Sequence, residues 1–274
     1  MATLFAIGDL HANHPQNRRF VDQLTAHSAE DWLVVCGDVA DSIEDVESVL
    51  GSLSGRFAKT LWAPGNHELL SPPGEPRGES RYRRLVEACR GQGVLTPEDP
   101  YPLWEGPGGP ALVAPLFLLY DYTFGVAAKL GKAEALRRAY LAGIVCVDEF
   151  LLDPQPHASR EAWCQARIAT TEARLQERPA GIPTVLVNHF PLLEGPTRLL
   201  RHLEFAAWCG TTRTADWHLR FEATVVVYGH LHIPITSWYD GVRFEEVSLG
   251  YPREWTGRSW SKPGLRPILG EAAA

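Results

Sequence analysis

The chain has 274 residues, of which 45% are hydrophobic and 22% are charged, and its formal net charge at pH 7 is -7. This composition is typical of a folded globular protein, and the length suits one large α/β domain or two small ones. The negative balance disfavours a protein that coats nucleic acid through an overall positive potential.

The first part of the chain predicts alternating strands and helices. Residues 3–7 and 32–36 are short apolar runs without alternation, which is the pattern of strands buried on both faces. Between them, the apolar positions of residues 16–29 have helical spacing. A second amphipathic helix is predicted over 41–53, and a third strand follows over 60–63. These segments indicate consecutive βαβ units.

The middle of the chain has weaker patterns, because Pro and Gly are frequent there. It predicts strands near Leu103 and Leu112, an irregular segment over 117–132 and a helix over about 159–177. A further helix precedes these elements. Its inward-facing positions are Tyr82, Leu85, Val86 and Cys89.

Regular strand patterns return in the last third. Residues 184–187 predict one strand, and residues 224–228 carry the strongest strand signal in the chain. Strands over 235–239 and 242–247 are joined by an Asp-Gly pair, a hairpin signal. The tail over about 257–274 contains Pro and Gly and is predicted to be irregular.

Five polar segments each follow one of the predicted strands. In open α/β sheets, functional side chains collect beyond the carboxyl ends of the strands, so we expect these segments to meet. Their Asp, His and Asn side chains suit manganese, iron or zinc rather than calcium. The segments are Gly8-Asp9-Leu10-His11, Gly37-Asp38, Gly65-Asn66-His67-Glu68, Asn188-His189 and Gly229-His230-Leu231-His232.

Each segment alone has a simpler structural explanation. A Gly-Asp pair after a strand is often a tight turn whose Asp caps the next helix, and a single His such as His189 is often an ordinary hydrogen-bonded residue. His230 and His232 are more specific, because residues two apart in an extended segment point the same way. All five segments together favour a divided metal site, in which Asp38 would bridge two ions about 3.5–4 Å apart.

The order of these segments resembles the calcineurin-like metallophosphoesterase superfamily, whose blocks run D-x-H, G-D, G-N-H-E/D, H and G-H-x-H. The resemblance spans roughly residues 4–250, and no block is missing. It implies an α/β fold, a four-layer αββα sandwich of two mixed sheets. We expect a single domain over 1–274, with its core over about 3–250.

The resemblance also implies a chemistry. It implies two divalent or mixed-valence transition metal ions, with manganese or iron expected and zinc as an alternative, and a hydroxide between them that attacks phosphorus. His67 matches the catalytic histidine of the superfamily, and Asp41 stands where a residue that orients this histidine is found. The implied ligands are Asp9, His11, Asp38 and His232 for one ion, and Asp38, Asn66, His189 and His230 for the other.

Protein Ser/Thr phosphatases of the superfamily carry an Arg directly after the residue that corresponds to Asp41. This chain has Ser42 at that position, which disfavours a phosphoprotein substrate. Runs outside the ligands resemble an actinobacterial group of phosphopantetheinyl hydrolases. This closer resemblance implies a phosphodiesterase that removes 4'-phosphopantetheine from a holo acyl carrier protein. The runs that carry it are residues 117–122, 208–212, 214–218, 239–247 and 250–255.

Substrate-contacting residues are harder to assign. Arg213 and Arg253 follow predicted strands and are candidates for contact with phosphate. Four clustered arginines could form a basic patch for an acidic carrier protein, although a solvated helix face explains them equally well. Four aromatic residues near these runs could be core residues or a substrate platform. The arginines are Arg77, Arg81, Arg83 and Arg84, and the aromatic residues are Trp208, Trp217, Tyr251 and Trp255.

Two other functions stay open. A phosphomonoesterase or phosphodiesterase could act on a small metabolite or nucleotide, because one fold hosts many substrates. A metal-free binding scaffold is the non-enzyme alternative, and the complete set of ligands together with His67 argues against it.

The location of the protein can be predicted from its cysteines and its apolar runs. The five cysteines are odd in number and lack a CxxC pair, and the N-terminus does not resemble a signal peptide. The longest apolar run, near 112–119, is far shorter than the ~20 residues that span a bilayer. We therefore expect a cytoplasmic protein without a membrane partner.

Overall fold

The structure is a computed structural model that describes residues 2–125, 127–257 and 264–270. Ten strands in these ranges form two mixed sheets, the arrangement that the resemblance implied. The strands are β1 (Leu4–Ile7), β2 (Trp32–Cys36), β3 (Lys59–Ala63), β4 (Leu103–Trp104), β5 (Ala111–Pro115), β6 (Thr184–Val187), β7 (Ala223–Tyr228), β8 (Thr236–Tyr239), β9 (Val242–Glu246) and β10 (Arg266–Leu269).

Parallel strands form the centre of each sheet. The four-stranded sheet has the order β10-β1-β2-β3, in which only β10 is antiparallel to its neighbour. The six-stranded sheet has the order β4-β5-β6-β7-β9-β8, with β5, β6, β7 and β9 parallel. The outer strands β4 and β8 are antiparallel to their neighbours, and β8 and β9 form the predicted hairpin.

Side chains that alternate along the strands build two apolar layers. Leu4 and Ala6 of β1 lie between the sheets, whereas Phe5 and Ile7 point to the helices on the outside. The same alternation places Val185 of β6 in the layer between the sheets. The predicted αββα sandwich is confirmed, and the buried apolar runs are explained because both faces of each sheet are covered.

Helices occupy the outer layers. Residue Ser42 caps α2 by accepting a hydrogen bond from the backbone N–H of Asp45, and the apolar face of α2, from Ile43 to Leu53, is buried. The helices are α1 (Pro15–Asp22), α2 (Ile43–Ser54), α3 (Gly78–Gly91), α4 (Ala127–Leu130), α5 (Lys132–Leu141), α6 (Asp148–Leu151), α7 (Arg160–Gln176), α8 (Trp217–Arg220) and α9 (Pro252–Trp255). Short 3-10 helices lie at His67–Leu69, Gly195–Leu199, Leu203–Trp208 and Thr212–Thr214.

The prediction of an irregular tail is wrong where the structure describes a strand, β10. Residues 266–269 pair antiparallel with β1, and Ile268 is buried between the sheets. Pro267 hides this strand in the sequence, yet an edge strand tolerates Pro because one side of it needs no ladder hydrogen bond. Residues 258–263 and 271–274 of the predicted tail lie outside the described residues.

The middle of the chain also differs from its prediction. The segment 117–132 was predicted to be irregular, but α4 forms within it and α5 begins at its end. Gly131, with a backbone φ of 80°, separates the two helices and interrupts their common periodicity. The first helix is shorter than predicted and ends at Asp22.

Candidate metal centre

The seven side chains predicted as ligands meet at the carboxyl ends of the parallel strands. Asp9 and His11 follow β1, Asp38 follows β2, and the remaining residues follow strands of both sheets. Within the described residues, three groups of side chains could each hold a metal ion. They are Asp9, His11 and His232; His11, Asp38 and His67; and Asp38, His189 and His230.

The backbone at these strand ends is strained. Five of the seven residues have positive φ angles, a region that residues other than Gly seldom adopt, although Asn and Asp enter it more often than the rest. Such conformations cost of order 1–3 kcal/mol each and persist where the surrounding structure enforces them. The residues and angles are Asp9 (50°), His11 (40°), Asp38 (51°), His230 (70°) and His232 (56°).

Close approach explains two glycines of the motifs. A Cβ at Gly65 would lie 2.1 Å from Oδ1 of Asp38, and a Cβ at Gly229 would lie 2.2 Å from Oδ2 of Asp9. Real Cβ atoms do not approach so closely, so any side chain at either position would displace the carboxylate. The glycines therefore allow the two sheets to bring their carboxylates and histidines together.

One cluster is centred on Asp9. The Nδ1–H of His232 donates to Oε2 of Glu254 at 2.7 Å, so Nε2 of His232 is directed to the interior. This Nε2 lies 3.0 Å from Oδ1 of Asp9 and 3.2 Å from Nε2 of His11. Ser248 Oγ donates to the other carboxylate oxygen of Asp9. The arrangement directs a carboxylate and two imidazole nitrogens to one point.

A second cluster surrounds His189. Its Nδ1–H donates to the carbonyl oxygen of Cys36 at 3.0 Å, which leaves Nε2 as an acceptor. Nε2 lies 3.2 Å from Oδ1 of Asn66 and 3.2 Å from Nδ1 of His230, and 3.5 Å from Oδ2 of Asp38. These acceptor atoms repel one another unless a cation or a proton lies between them. The donor set therefore fits a borderline transition metal ion.

Asp38 lies between the two clusters. Its Oδ2 is 3.5 Å from Nε2 of His189 and 3.9 Å from Nε2 of His11. Burial disfavours the charged form of Asp38, but the charges of His189, His67 and His11 outweigh it, so its pKa is lowered. Burial also opposes ionisation of Asp9, and there His189 and His232 lower the pKa. Two buried, ionised carboxylates need compensating positive charge.

His67 has a different environment from the seven. Its Nδ1–H donates to Oδ1 of Asp41 at 2.8 Å, and its Nε2 faces Oδ2 of Asp38 at 4.0 Å and the hydroxyl of Tyr251 at 3.4 Å. The His67 side chain is 18% exposed, against 3% or less for the side chains of Asp38, His11 and His189. Burial opposes its protonation, but Asp38 and the hydrogen bond to Asp41 raise the pKa of His67 to about 9.

Three residues that the sequence reasoning left without a role support these side chains. Glu68 is fully buried and accepts hydrogen bonds from the backbone N–H groups of Asp38, Val39 and Gly65 and from the indole of Trp62. Because Glu68 belongs to the Gly65–Glu68 motif, its place in the sequence is a local signal for this role.

Asp148 and Glu254 are the other two supporting residues. Asp148 accepts a hydrogen bond from Nδ2 of Asn66 at 3.0 Å, which turns Oδ1 of Asn66 to His189. Asp148 lies in α6, a helix that the sequence pattern did not predict, so no local signal marks it. Glu254 orients His232, and it lies within the run 250–255, which carries part of the closer resemblance.

The two arginines predicted to contact phosphate differ in position. Arg253 lines a pocket of about 380 Å³ with His14, Tyr251 and Pro252, and the ring of Tyr251 stacks on His11 at 4.3 Å. This pocket therefore adjoins the clustered side chains. Arg213 is half exposed, and its ion pair within the described residues is with Asp121.

The basic patch predicted around α3 is wrong for Arg81, which is not at the surface. The positive charge of the other arginines is offset by nearby carboxylates. Arg81 is buried and donates to the carbonyl oxygens of Glu68 and Asp41, so it is a structural residue. Arg77 pairs with Asp153, and Arg83 pairs with Glu79. The neighbouring groove of about 670 Å³ is also lined by carboxylates, namely Glu44, Glu75, Glu79 and Glu87.

The four aromatic residues predicted as core or platform residues also differ in position. Trp208 and Trp217 are buried in the core. Trp255 is partly buried and donates to Oδ1 of Asn17, while Tyr251 lies beside the clustered histidines. Cys36 is buried, as expected for a small core residue, and burial raises the pKa of its thiol.

These side chains define a phosphoesterase of the calcineurin-like type, and residues 2–234 match the calcineurin-like phosphoesterase family. The chain belongs to this family and is a phosphoric ester hydrolase. It is 52% identical over 273 residues to the acyl-carrier-protein phosphodiesterase PptH of Mycobacterium tuberculosis, and the match covers 97% of this chain and 83% of that protein.

The crystal structure of the phosphopantetheinyl hydrolase PptH from Mycobacterium tuberculosis has the same fold. It matches with a TM-score of 0.94 and 51% identity, and the match covers 98% of this chain and 96% of that chain. Vacuolar protein sorting 29 from Cryptosporidium parvum matches with a TM-score of 0.34 and 12% identity, which is too distant to carry an argument. Among the described residues, no helix is both long and apolar enough to cross a membrane.

Proposed function

We propose that this protein is a phosphodiesterase that removes 4'-phosphopantetheine from a holo acyl carrier protein. The observation that carries the proposal is the 52% identity, over 97% of the chain, to an acyl-carrier-protein phosphodiesterase. The clustered Asp, Asn and His side chains support it, because phosphodiester hydrolysis at such sites uses two metal ions. All five cysteines are free and buried, which suits the reducing cytoplasm that we propose as its location.

We propose Asp38 as the ligand common to two ions, because its carboxylate faces histidines of both clusters. Manganese or iron fits the mixed oxygen and imidazole donors, with zinc as the alternative. When bound, such ions supply Lewis acidity that polarises phosphoryl oxygens and lowers the pKa of water. The proposed ligands of one ion are Asp9, His11, Asp38 and His232, and those of the other are Asp38, Asn66, His189 and His230.

In the proposed reaction, a water oxygen forms a bond to phosphorus while the bond from phosphorus to the Ser Oγ of the carrier breaks. We assign His67 as the proton donor to this Oγ, because its Nε2 faces the clusters while Asp41 holds Nδ1. The hydrogen bond from Nδ1–H of His67 to Asp41 favours the protonated form that a proton donor needs. Arg253, in the pocket beside Tyr251, is the proposed contact to the phosphate of the diester.

The test is incubation of the purified protein with holo carrier protein and Mn²⁺, followed by mass spectrometry of the carrier. We expect the carrier to lose the whole 4'-phosphopantetheine group and to regain a free Ser. The matched control is Asp38→Ala, which should leave the carrier intact and bind neither ion. An intact dinuclear site in Asp38→Ala would contradict the bridging assignment.

The same experiment includes a small phosphodiester, bis(p-nitrophenyl) phosphate, as a second substrate. Hydrolysis of this compound without any change in the holo carrier protein would overturn the proposed substrate. It would favour an enzyme of small phosphoesters instead.

A further inference from the structure

One surface beside the metal centre combines exposed apolar groups with positive charge. We define it as the cap surface, residues 128–151 and 195–208, which include α5, α6 and two 3-10 helices. Of the twelve large apolar side chains that the described residues expose, eight lie here, and Tyr140 and Phe150 are 73% and 75% exposed. The eight are Leu130, Tyr140, Leu141, Val145, Val147, Phe150, Leu199 and Leu203. Such concentration marks an interaction surface.

The charge of the cap surface is opposite to that of the whole chain. The residues of the cap surface contain six Lys or Arg and four carboxylates, although the net charge of the protein is -7. Of these carboxylates, Asp148 is buried and Glu149 is paired with Arg160. Lys129 and Arg198 form no ion pair within the described part of the chain, so their charge is available to a partner.

The cap surface adjoins one of the two clusters. Asp148, in α6, holds the amide of Asn66 at 3.0 Å. The ring of Phe205 stacks on His230, with 5.4 Å between ring centroids and an angle of 22° between the planes. Two residues of the cap surface, Asp148 and Phe205, are therefore in direct contact with the proposed ligands Asn66 and His230.

The cap surface contains a groove. It has a volume of about 480 Å³, and its walls carry both kinds of side chain. Leu130 and Leu203 are the apolar part of the lining, and Lys129, Arg138 and Arg198 are the positive part. The lining also includes Glu194, which accepts a hydrogen bond from the backbone N–H of Gly125, and Arg138 is paired with Glu134. A concave, cationic groove with apolar walls complements the convex face of an acidic helix.

We infer that the cap surface is where the acidic carrier protein docks, with carboxylates of one of its helices against Lys129 and Arg198. This inference rests on the proposed function and adds the surface that recognises the carrier. A flat membrane fits less well, because the apolar side chains belong to several short segments around a groove. Arg84 of the patch predicted from sequence is the competing position, and its surroundings are acidic.

The experiment measures KM and kcat of Arg198→Glu with holo carrier protein and with bis(p-nitrophenyl) phosphate. We expect KM for the carrier to rise about tenfold or more, which corresponds to ~1.4 kcal/mol, with an unchanged kcat. Hydrolysis of the small diester should not change. Leu203→Ser and Phe150→Ser should raise KM for the carrier, as Arg198→Glu does. Leu219→Ser, at an exposed apolar residue outside the cap surface, is the control for these two variants. Arg84→Glu is the control for the change of charge.

A carrier variant in which one helix Glu is changed to Lys should restore the KM of Arg198→Glu, which a folding defect would not allow. An unchanged KM in Arg198→Glu, Leu203→Ser and Phe150→Ser would overturn the docking surface, as would an effect confined to Arg84→Glu. A third outcome would assign the surface to membranes instead. In that case the wild-type protein binds vesicles of anionic phosphatidylglycerol, Arg198→Glu abolishes this binding, and KM for the carrier stays unchanged. If the wild-type protein cleaves the small diester and never the carrier, the proposed function fails.

Discussion

His67 differs from Asn66, the ligand candidate next to it in the motif, in both exposure and partner. It is part of the Gly65–Glu68 motif, but Asp41 holds its Nδ1, and its side chain is more exposed than those of the buried ligands. A residue that transfers a proton to a leaving group needs this access, whereas a ligand needs none. The two functions within one motif are therefore separated by burial.

The His67→Ala variant should retain its metal ions and lose most of its activity. We expect kcat to fall by about 10²- to 10⁴-fold, the usual contribution of a general acid. Metal content measured by elemental analysis should match that of the wild-type protein. Near-normal turnover would remove His67 from the proton-donor role, and loss of metal would make it a ligand.

Glu68 has a structural role that can be measured by its effect on stability. Its two carboxylate oxygens accept from four N–H donors in the interior, including those of Asp38 and Gly65. In Glu68→Gln, an NH2 group would face some of these donors. We expect a loss of ~1–3 kcal/mol in the free energy of unfolding, measured with urea. The exposed Glu87→Gln on α3 should change it little, and equal effects would contradict this account.

At the residue scale, sequence reasoning brought the seven ligand candidates together because their motifs are local. Asp9 and His11 are two positions apart in the chain, and each motif follows a strand whose pattern is clear. Asp148 could not be found in this way, because its link to Asn66 crosses 82 positions of sequence. Partners of this kind are set by packing, which leaves no local pattern.

At the scale of elements, the parallel strands were predictable and the edge strand β10 was not. A strand buried on both faces has a continuous apolar run, as in β7, whereas β10 is short and contains Pro267. β10 is specified by a position in the sheet that only the rest of the fold creates. The helices α4 and α5 were not predicted from the sequence, because Gly131 interrupts the helical periodicity of the segment that they share.

The strand β10 should contribute measurably to stability despite its short length. Ile268 is fully buried between the sheets, so Ile268→Ala would leave a cavity there. We expect a loss of ~2–4 kcal/mol in the free energy of unfolding, measured by urea denaturation. The control is Ile235→Ala, because Ile235 is 36% exposed. A change in Ile268→Ala no larger than in this control would contradict a structural role of β10.

At the scale of the whole molecule, the two sheets depend on each other through the metal centre. Asp9 and Asp38 come from the four-stranded sheet, and His189 and His230 come from the six-stranded sheet. Their buried carboxylates face imidazoles across the gap between the sheets. A bound cation would therefore link the two halves of the sandwich as well as supply the chemistry.

Metal ions should accordingly stabilise the fold. A ligand that binds only the folded state at about 100 times its Kd adds ~2.7 kcal/mol. For a domain of this size, this corresponds to a rise in Tm of roughly 5–10 °C. We expect treatment with a chelator to lower the Tm of the protein, and added Mn²⁺ to restore it, as measured by calorimetry. The Asp38→Ala variant should show no response to Mn²⁺, because the proposed bridging carboxylate is absent. A Tm that is the same with chelator and with Mn²⁺ in the wild-type protein would mean that the clusters hold no ion that joins the sheets.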